Sequence, residues 1–152
     1  MNISLSPIGM VQNTRQVVED DHWGEIISVI ELDSRFAEES LLGLEEFSHV
    51  EVIFYFHLVE VSRIETGARH PRNNKDWPRV GIFAQRGKNR PNRLGASIVK
   101  VVKWEGLRLF VEGLDAVDGT PVLDIKPIMR EFLPRENVNQ PQWVTELMKN
   151  YW

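Results

Sequence analysis

The chain has 152 residues, a length that suits one domain and can bury a sizeable core without disulfides or a structural metal. Hydrophobic residues make up 42% and charged residues 26%, the balance of a soluble globular protein, and the absence of cysteine excludes disulfides, thiolate metal sites and a cysteine nucleophile. The net charge of −4 argues against a grip on nucleic acid through overall charge, so any such contact has to come from a local basic patch.

In chain order, the start Met1-Asn2-Ile3-Ser4 lacks the positive charge and long apolar run of a signal peptide. Ile3 to Val11 reads as an edge strand broken by Pro7 and Gly9. His22 stands beside Trp23, and Ile26 to Leu32 is a β-branched, apolar strand. Phe36 to Phe47 spaces Leu41, Leu44 and Phe47 by three, which predicts a helix with Ser34 as its cap. His49 reads as a packed histidine. Val50 to Val59 is the strongest candidate for a buried central strand. It is the longest apolar stretch and is far too short to span a bilayer, so a cytoplasmic protein is expected. His57, where that run turns polar, is the better site candidate.

Val80 to Ala84 predicts another strand. A basic segment follows, Arg86 to Ser97, with Arg86, Lys88, Arg90 and Arg93 crowded among Gly, Pro and two asparagines. Guanidinium groups there can fork onto carboxylates or phosphates, and Asn can read a base edge. A solvated surface loop is the plain alternative. Ala96 to Val102 and Leu107 to Val111 are strands joined by a turn at Glu105-Gly106. In Leu114 to Pro127, Asp115, Asp118 and Asp124 gather around the turn signal Asp118-Gly119. These aspartates could accept hydrogen bonds from a ribose or an amino group, with Lys126 orienting a reacting group. Turn chemistry for Asp118 and a surface Asp124–Lys126 neighbourhood explain the same residues equally well. Pro121 to Ile125 is a further strand. Pro141 to Tyr151 predicts an amphipathic helix presenting Trp143, Leu147 and Tyr151 on one face.

Many short strands without regular helical crossovers predict an all-β domain, a small closed or partly closed β-barrel with peripheral short helices, over residues 1–152. No Gly-rich turn links a strand to a helix, so the fold is non-Rossmann. No two histidines have the spacing of a metal-ligand pair, and no metal is expected. Ser97 has no G-x-S-x-G elbow around it. Phe54, Tyr55, Phe56, Phe83 and Phe110 alternate with apolar residues and read as core rather than as base-stacking platforms.

Four ordered blocks carry a family resemblance: Leu44 to Val50, Val80 to Arg86, Arg90 to Gly95 and Asp115 to Pro127, with Ser6-Pro7-Ile8-Gly9-Met10-Val11 at the start. They resemble the TsaA-like family, whose characterised members include a tRNA methyltransferase acting on N6-threonylcarbamoyladenosine beside the anticodon. The resemblance implies a small β-barrel, a homodimer and S-adenosyl-L-methionine bound without a Rossmann fold. Cofactor contacts would fall on His57, Leu58, Arg86, Ala96, Asp115, Ala116, Val117 and Asp118. His22 and Trp23 would stand where the family often carries Pro-Arg-Gln. Arg90 and Asn92 would bind the substrate, tRNA, and Asp124 and Lys126 would be catalytic. Gly87-Lys88-Asn89 replaces a usual Ser-Pro or Ser-Thr pair, and the chain reads as a short form without the C-terminal extension of the larger tRNA enzymes. Methyl transfer to a small molecule, and S-adenosylmethionine binding without turnover, are the alternatives.

Overall fold

Alternation of apolar and polar residues decides which side of each strand turns inward, and here the inward sides meet around one axis. The computed structural model describes all 152 residues. Its strands are β1 (Gly9–Gln12), β2 (Ile27–Leu32), β3 (His49–Tyr55), β4 (Ala68–Arg69), β5 (Val80–Gly81), β6 (Leu94–Glu105), β7 (Arg108–Glu112) and β8 (Pro121–Pro127), with one α-helix, α1 (Gln142–Leu147). Six of them close an antiparallel barrel in the order β1-β2-β7-β6-β3-β8, and β4 and β5 form a separate ribbon. Closure removes the unpaired edges that an open sheet would expose. Val11, Ile30, Val50, Val52, Phe54, Val99, Leu109, Val111 and Val122 fill the interior. Each contributes about 1.5–3 kcal/mol by leaving water.

The interior is not uniform. Ser28, Ser97 and Thr120 are buried near one rim, where β1, β3 and β7 end and β2, β6 and β8 begin. That rim is polar. At the opposite rim the segment after β2 closes over an apolar cavity of about 330 Å³ lined by Ile8, Leu32, Phe36, Leu41, Leu44 and Phe47 among others.

Several elements differ from the sequence reading. The first strand is confined to Gly9–Gln12, because Pro7 has no N–H for the ladder. Phe36 to Phe47 is not one helix. It holds two 3-10 turns, Glu38–Leu41 and Leu44–Glu46, separated by Gly43 at φ 93°, and Ser34 caps neither. Asp33 serves the turn entry instead, accepting from the Arg35 N–H at 2.9 Å. β3 stops at Tyr55, four residues short of Val59, because the chain turns as the Phe56 carbonyl accepts from the Val59 N–H at 3.2 Å. β5 lasts two residues before the 3-10 turn Ile82–Ala84, which turns Ile82 inward and leaves Phe83 81% exposed. Phe83 is thus not core, whereas Phe54 is. Tyr55, Phe56 and Phe110 are half-buried. His49 is exposed rather than packed, since it occupies an outward position of β3 and pairs only with the Ser48 hydroxyl at 2.7 Å. α1 covers Gln142–Leu147, and looser turns carry the chain on to Tyr151. No helix is long and apolar enough to cross a membrane.

Candidate functional site

The polar rim collects loops from four parts of the chain: 13–26, 56–93, 113–120 and the C-terminal tail. Asp115 is its pivot. One carboxylate oxygen accepts from the Ser97 hydroxyl, which rises from inside the barrel, and the other accepts from the Tyr151 hydroxyl. Burial, and then the Asp115 charge beside it, push the Tyr151 phenol well above the ordinary tyrosine range, so it remains a donor. Arg86 donates from Nη2 to the Ala96 carbonyl, next to Ser97.

The loop that carries Asp115 is held by Asn13. Its Nδ2 donates to the Ala116 carbonyl at 2.8 Å and to the Ser28 hydroxyl at 2.9 Å, and its backbone N–H donates to Asp118 Oδ1 at 3.0 Å. Asp118 therefore acts as a turn residue, and Ala116 and Val117 are buried beneath it. Across this loop lies His57, whose Nε2 would sit 4.0 Å from a Cβ placed on Gly119. Leu58, beside it, is exposed and lines a cleft of about 260 Å³ with Val59, Glu60, Arg63, Lys88 and Asn89.

His22 adopts a left-handed backbone at φ 65°. Trp23 is buried, with the Arg15 guanidinium 4.6 Å above its ring. Arg72 ties this first loop to the segment after β3, forking onto Asp21 at 2.8 and 3.3 Å. Arg90 folds back on its own loop, donating to the Gln85 carbonyl at 2.9 Å, and Asn92 is exposed.

Asp124 and Lys126 stand elsewhere. They project to solvent from the outer wall on β8 and pair with each other. The register sets Asp124 beside Ile53 and Ile53 beside Ala96, so Asp124 and Ala96 share an outer row about 10 Å apart at the usual strand spacing. The bond from Lys126 to Asp124, and then the carboxylate's charge, raise the lysine above its usual range, so it stays cationic.

The rim thus brings together His22, Trp23, His57, Arg86 and Asp115 through Asp118, with Ala96 through its carbonyl, while Leu58, Arg90 and Asn92 lie on the loop 56–93 that opens from it. Sequence reasoning missed Asn13, Arg72 and the roles of Ser97 and Tyr151. Tyr151 had a signal, its place on the apolar face of the terminal helix, but that spacing names no partner 36 residues away. No group of three or more His, Asp or Glu side chains is arranged to hold a metal ion.

Electrostatically one of the rim's loops, residues 57–93, opposes the rest of the molecule. Residues 57–93 carry nine of the 18 lysines and arginines but only three of the 22 acidic residues. Of those nine cations only Arg63 and Arg72 form ion pairs. Two buried polar atoms here have no partner: Arg69 Nε, a donor, and Asn89 Oδ1, an acceptor.

Fold and site together define a class, the small antiparallel barrels whose polar groups are gathered on loops at one rim. The chain belongs to the tRNA-methyltransferase O N-terminal domain family, whose model matches residues 15–132. It is 40% identical over 104 residues to the human tRNA (adenine(37)-N6)-methyltransferase, covering 68% of this chain and 23% of that protein. It is 38% identical over 141 residues to a probable S-adenosyl-L-methionine-binding protein of Pyrococcus abyssi, covering 90% of this chain and 73% of the relative. The crystal structure of TrmO from Pseudomonas aeruginosa superposes with a TM-score of 0.74 at 32% identity, covering 91% of this chain and 62% of that one. The chain thus spans about a quarter of the length of the human relative.

Proposed function

We propose that this chain is the barrel of an S-adenosyl-L-methionine-dependent methyltransferase that acts on the N6 nitrogen of an adenosine beside the tRNA anticodon, with threonylcarbamoyladenosine as the expected acceptor. The observation that carries the reading is the placing of Arg86 and Asp115 at one rim, with Arg86 one of seven unpaired cations on the single loop 57–93 of an otherwise acidic molecule. Family membership supplies the chemistry.

The rim fits the methyl donor. A nucleoside with an amino-acid arm brings donors and acceptors, and the rim holds one buried donor and one buried acceptor without partners. S-adenosylmethionine, when bound, supplies an electrophilic methyl group. Arg86 uses one N–H on Ala96 and keeps others for a carboxylate. Asp115 retains acceptor positions for hydroxyl or ammonium donors. His57, Leu58, Ala96, Ala116, Val117 and Asp118 frame the pocket, with His22 and Trp23 closing its far side. Arg90 and Asn92 meet the tRNA, and the free cations around them bind its phosphates. Asp124 and Lys126 lie on the outer wall, two strands from Ala96, so in this reading the acceptor nucleoside lies across that face for Asp124 to take the proton released when the exocyclic nitrogen gains its methyl group, with the Lys126 cation beside it.

The outer wall of β6 exposes Leu94, Ile98 and Val102 next to Ala96, a face suited to a second copy of the chain. We place the active form as a homodimer in the cytoplasm, where tRNA is available. Liquid chromatography of nucleosides from unmethylated tRNA incubated with protein and cofactor should show N6-methylated threonylcarbamoyladenosine. Isothermal titration that detects no binding at millimolar S-adenosylmethionine overturns the enzyme reading. A second reading, binding without turnover, is favoured by the name of the P. abyssi relative, which this chain covers more fully than it does the human enzyme. It predicts cofactor binding with no S-adenosylhomocysteine formed on total tRNA or small acceptors.

A further inference from the structure

Tyr151 lies beyond the family-matched residues, yet its hydroxyl holds the carboxylate on which the rim pivots. The tail carrying it is fixed at several points. The His22 and Trp23 N–H groups donate to the Asn150 and Tyr151 carbonyls at 2.9 and 2.8 Å. Gly24 packs so closely on the last residue that a Cβ there would lie 2.7 Å from the Trp152 carbonyl carbon. Further back, Trp77 Nε1 donates to Glu146 of α1 at 2.8 Å. The tail is therefore strapped to the first loop and to the ribbon region at once, and it delivers one phenol to Asp115.

A carboxylate has about four acceptor directions. Ser97 takes one on the first oxygen and Tyr151 one on the second, and two donors on different oxygens stop the group from rotating. Charge-assisted bonds of this kind are the stronger sort. We propose that Tyr151 is a positioning residue of the cofactor pocket: with Ser97 it locks the Asp115 carboxylate so that its remaining lone pairs meet the hydroxyl or ammonium donors of a nucleoside ligand, and the C-terminal tail is the strap that brings it there. This rests on the methyl-donor reading above and adds to it a residue outside the matched domain. The raised ionisation of the phenol serves the same end, because a tyrosinate would repel the carboxylate it has to hold.

The test titrates S-adenosylmethionine and S-adenosylhomocysteine into the full chain, Tyr151→Phe, Asp115→Asn and the double variant. Tyr151→Phe should weaken both ligands about tenfold, as loss of a charge-assisted bond predicts. In the Asp115→Asn background the same change should add less than about twofold, because coupled residues are not additive. Unchanged affinity in Tyr151→Phe, or an equal loss in both backgrounds, overturns the proposal. Gly24→Ala, which drives a Cβ into Trp152, should reproduce the affinity loss while leaving both hydroxyls in place; full affinity there overturns the strap. A ligand-free arm follows tyrosinate absorbance at alkaline pH. The chain has two tyrosines, so the step missing in Tyr151→Phe belongs to Tyr151. That step should come at lower pH in Asp115→Asn, and an unmoved step means the contact is absent and overturns the proposal. If the unaltered chain binds neither nucleoside, the methyl-donor reading fails and the positioning role with it, whereas normal binding in Tyr151→Phe sinks the positioning role alone.

Discussion

Asn13 shows how one amide can decide where a carboxylate sits. Its side chain bonds the Ser28 hydroxyl on β2, the Ala116 carbonyl of the Asp115 loop and the Arg15 N–H, while its backbone N–H reaches the Asp118 turn. Replacing it with Ala leaves Ser28, buried beneath it, short of a partner and frees the loop, so a loss of about 1–3 kcal/mol is expected in urea unfolding. On the proposed reading, affinity for S-adenosylmethionine should fall as well. Tyr151 makes a prediction of opposite character, in pH. Its folded ionisation is raised, so the stability it contributes is complete below about pH 10 and is lost as pH climbs above that value, with a slope of about 1.4 kcal/mol per unit while only the unfolded chain ionises. Comparing the unaltered chain with Tyr151→Phe at pH 8 and pH 11 isolates the effect. The alkaline loss should be smaller in the phenylalanine variant. Equal losses in the two proteins would refute it. The two phenylalanines that the sequence groups together separate here. Phe54→Ala empties part of the barrel and should cost about 3–5 kcal/mol. Phe83→Ala, at an exposed turn, should stay within about 0.5 kcal/mol.

Among elements, the legible ones are those whose pattern has a single solution. Ile27–Leu32, Leu94–Glu105 and Arg108–Glu112 alternate or run apolar between clear turns, and the hairpin at Glu105-Gly106 stands where the sequence places it. Phe36 to Phe47 was harder, because spacings of three satisfy an α-helix and a pair of 3-10 turns alike. Gly43 decides the matter through a positive φ that no periodicity reveals. Gly43→Ala should therefore destabilise the chain by about 1–2 kcal/mol, although nothing lies within 4 Å of the added Cβ, since the cost is in the backbone alone. An unchanged melting temperature would contradict that account. The end of β3 was hidden because an apolar run does not announce a turn. The site was half legible. Its loops are polar and turn-rich, which composition shows, but what joins them acts over long separations. Arg72 meets Asp21 across 51 residues, and Tyr151 meets Asp115 across 36. Such pairs follow from barrel closure and from the path of the tail, which no local window contains.

For the whole molecule the governing fact is segregation of charge. A chain with net charge −4 places half of its cations on one excursion between β3 and β6. If this excursion holds tRNA as proposed, that binding should weaken steeply with salt although the protein is acidic overall. Removing Arg90 should lower the slope of log affinity against log salt by about one, whereas Lys103→Ala, at the far end of β6 and paired with Glu105, should leave it alone. Filter binding across a range of potassium concentrations measures both, and equal slopes for the two variants would place the RNA elsewhere.

Closure of the barrel has an evolutionary reading. Nearly all of the ladder that holds the six strands is made outside residues 56–93, which join it only at their two ends, where the Phe56 N–H donates to the Arg93 carbonyl at 2.8 Å, and otherwise pair as the small ribbon β4–β5. Away from its tie points, Arg72 on Asp21, Trp77 on Glu146 and Arg86 on the Ala96 carbonyl, that excursion can lengthen, shorten or change sign without disturbing the strands that carry Ser97. Substrate range can drift while foldability is conserved, and a barrel of this size could be re-targeted by exchanging one contiguous piece of chain.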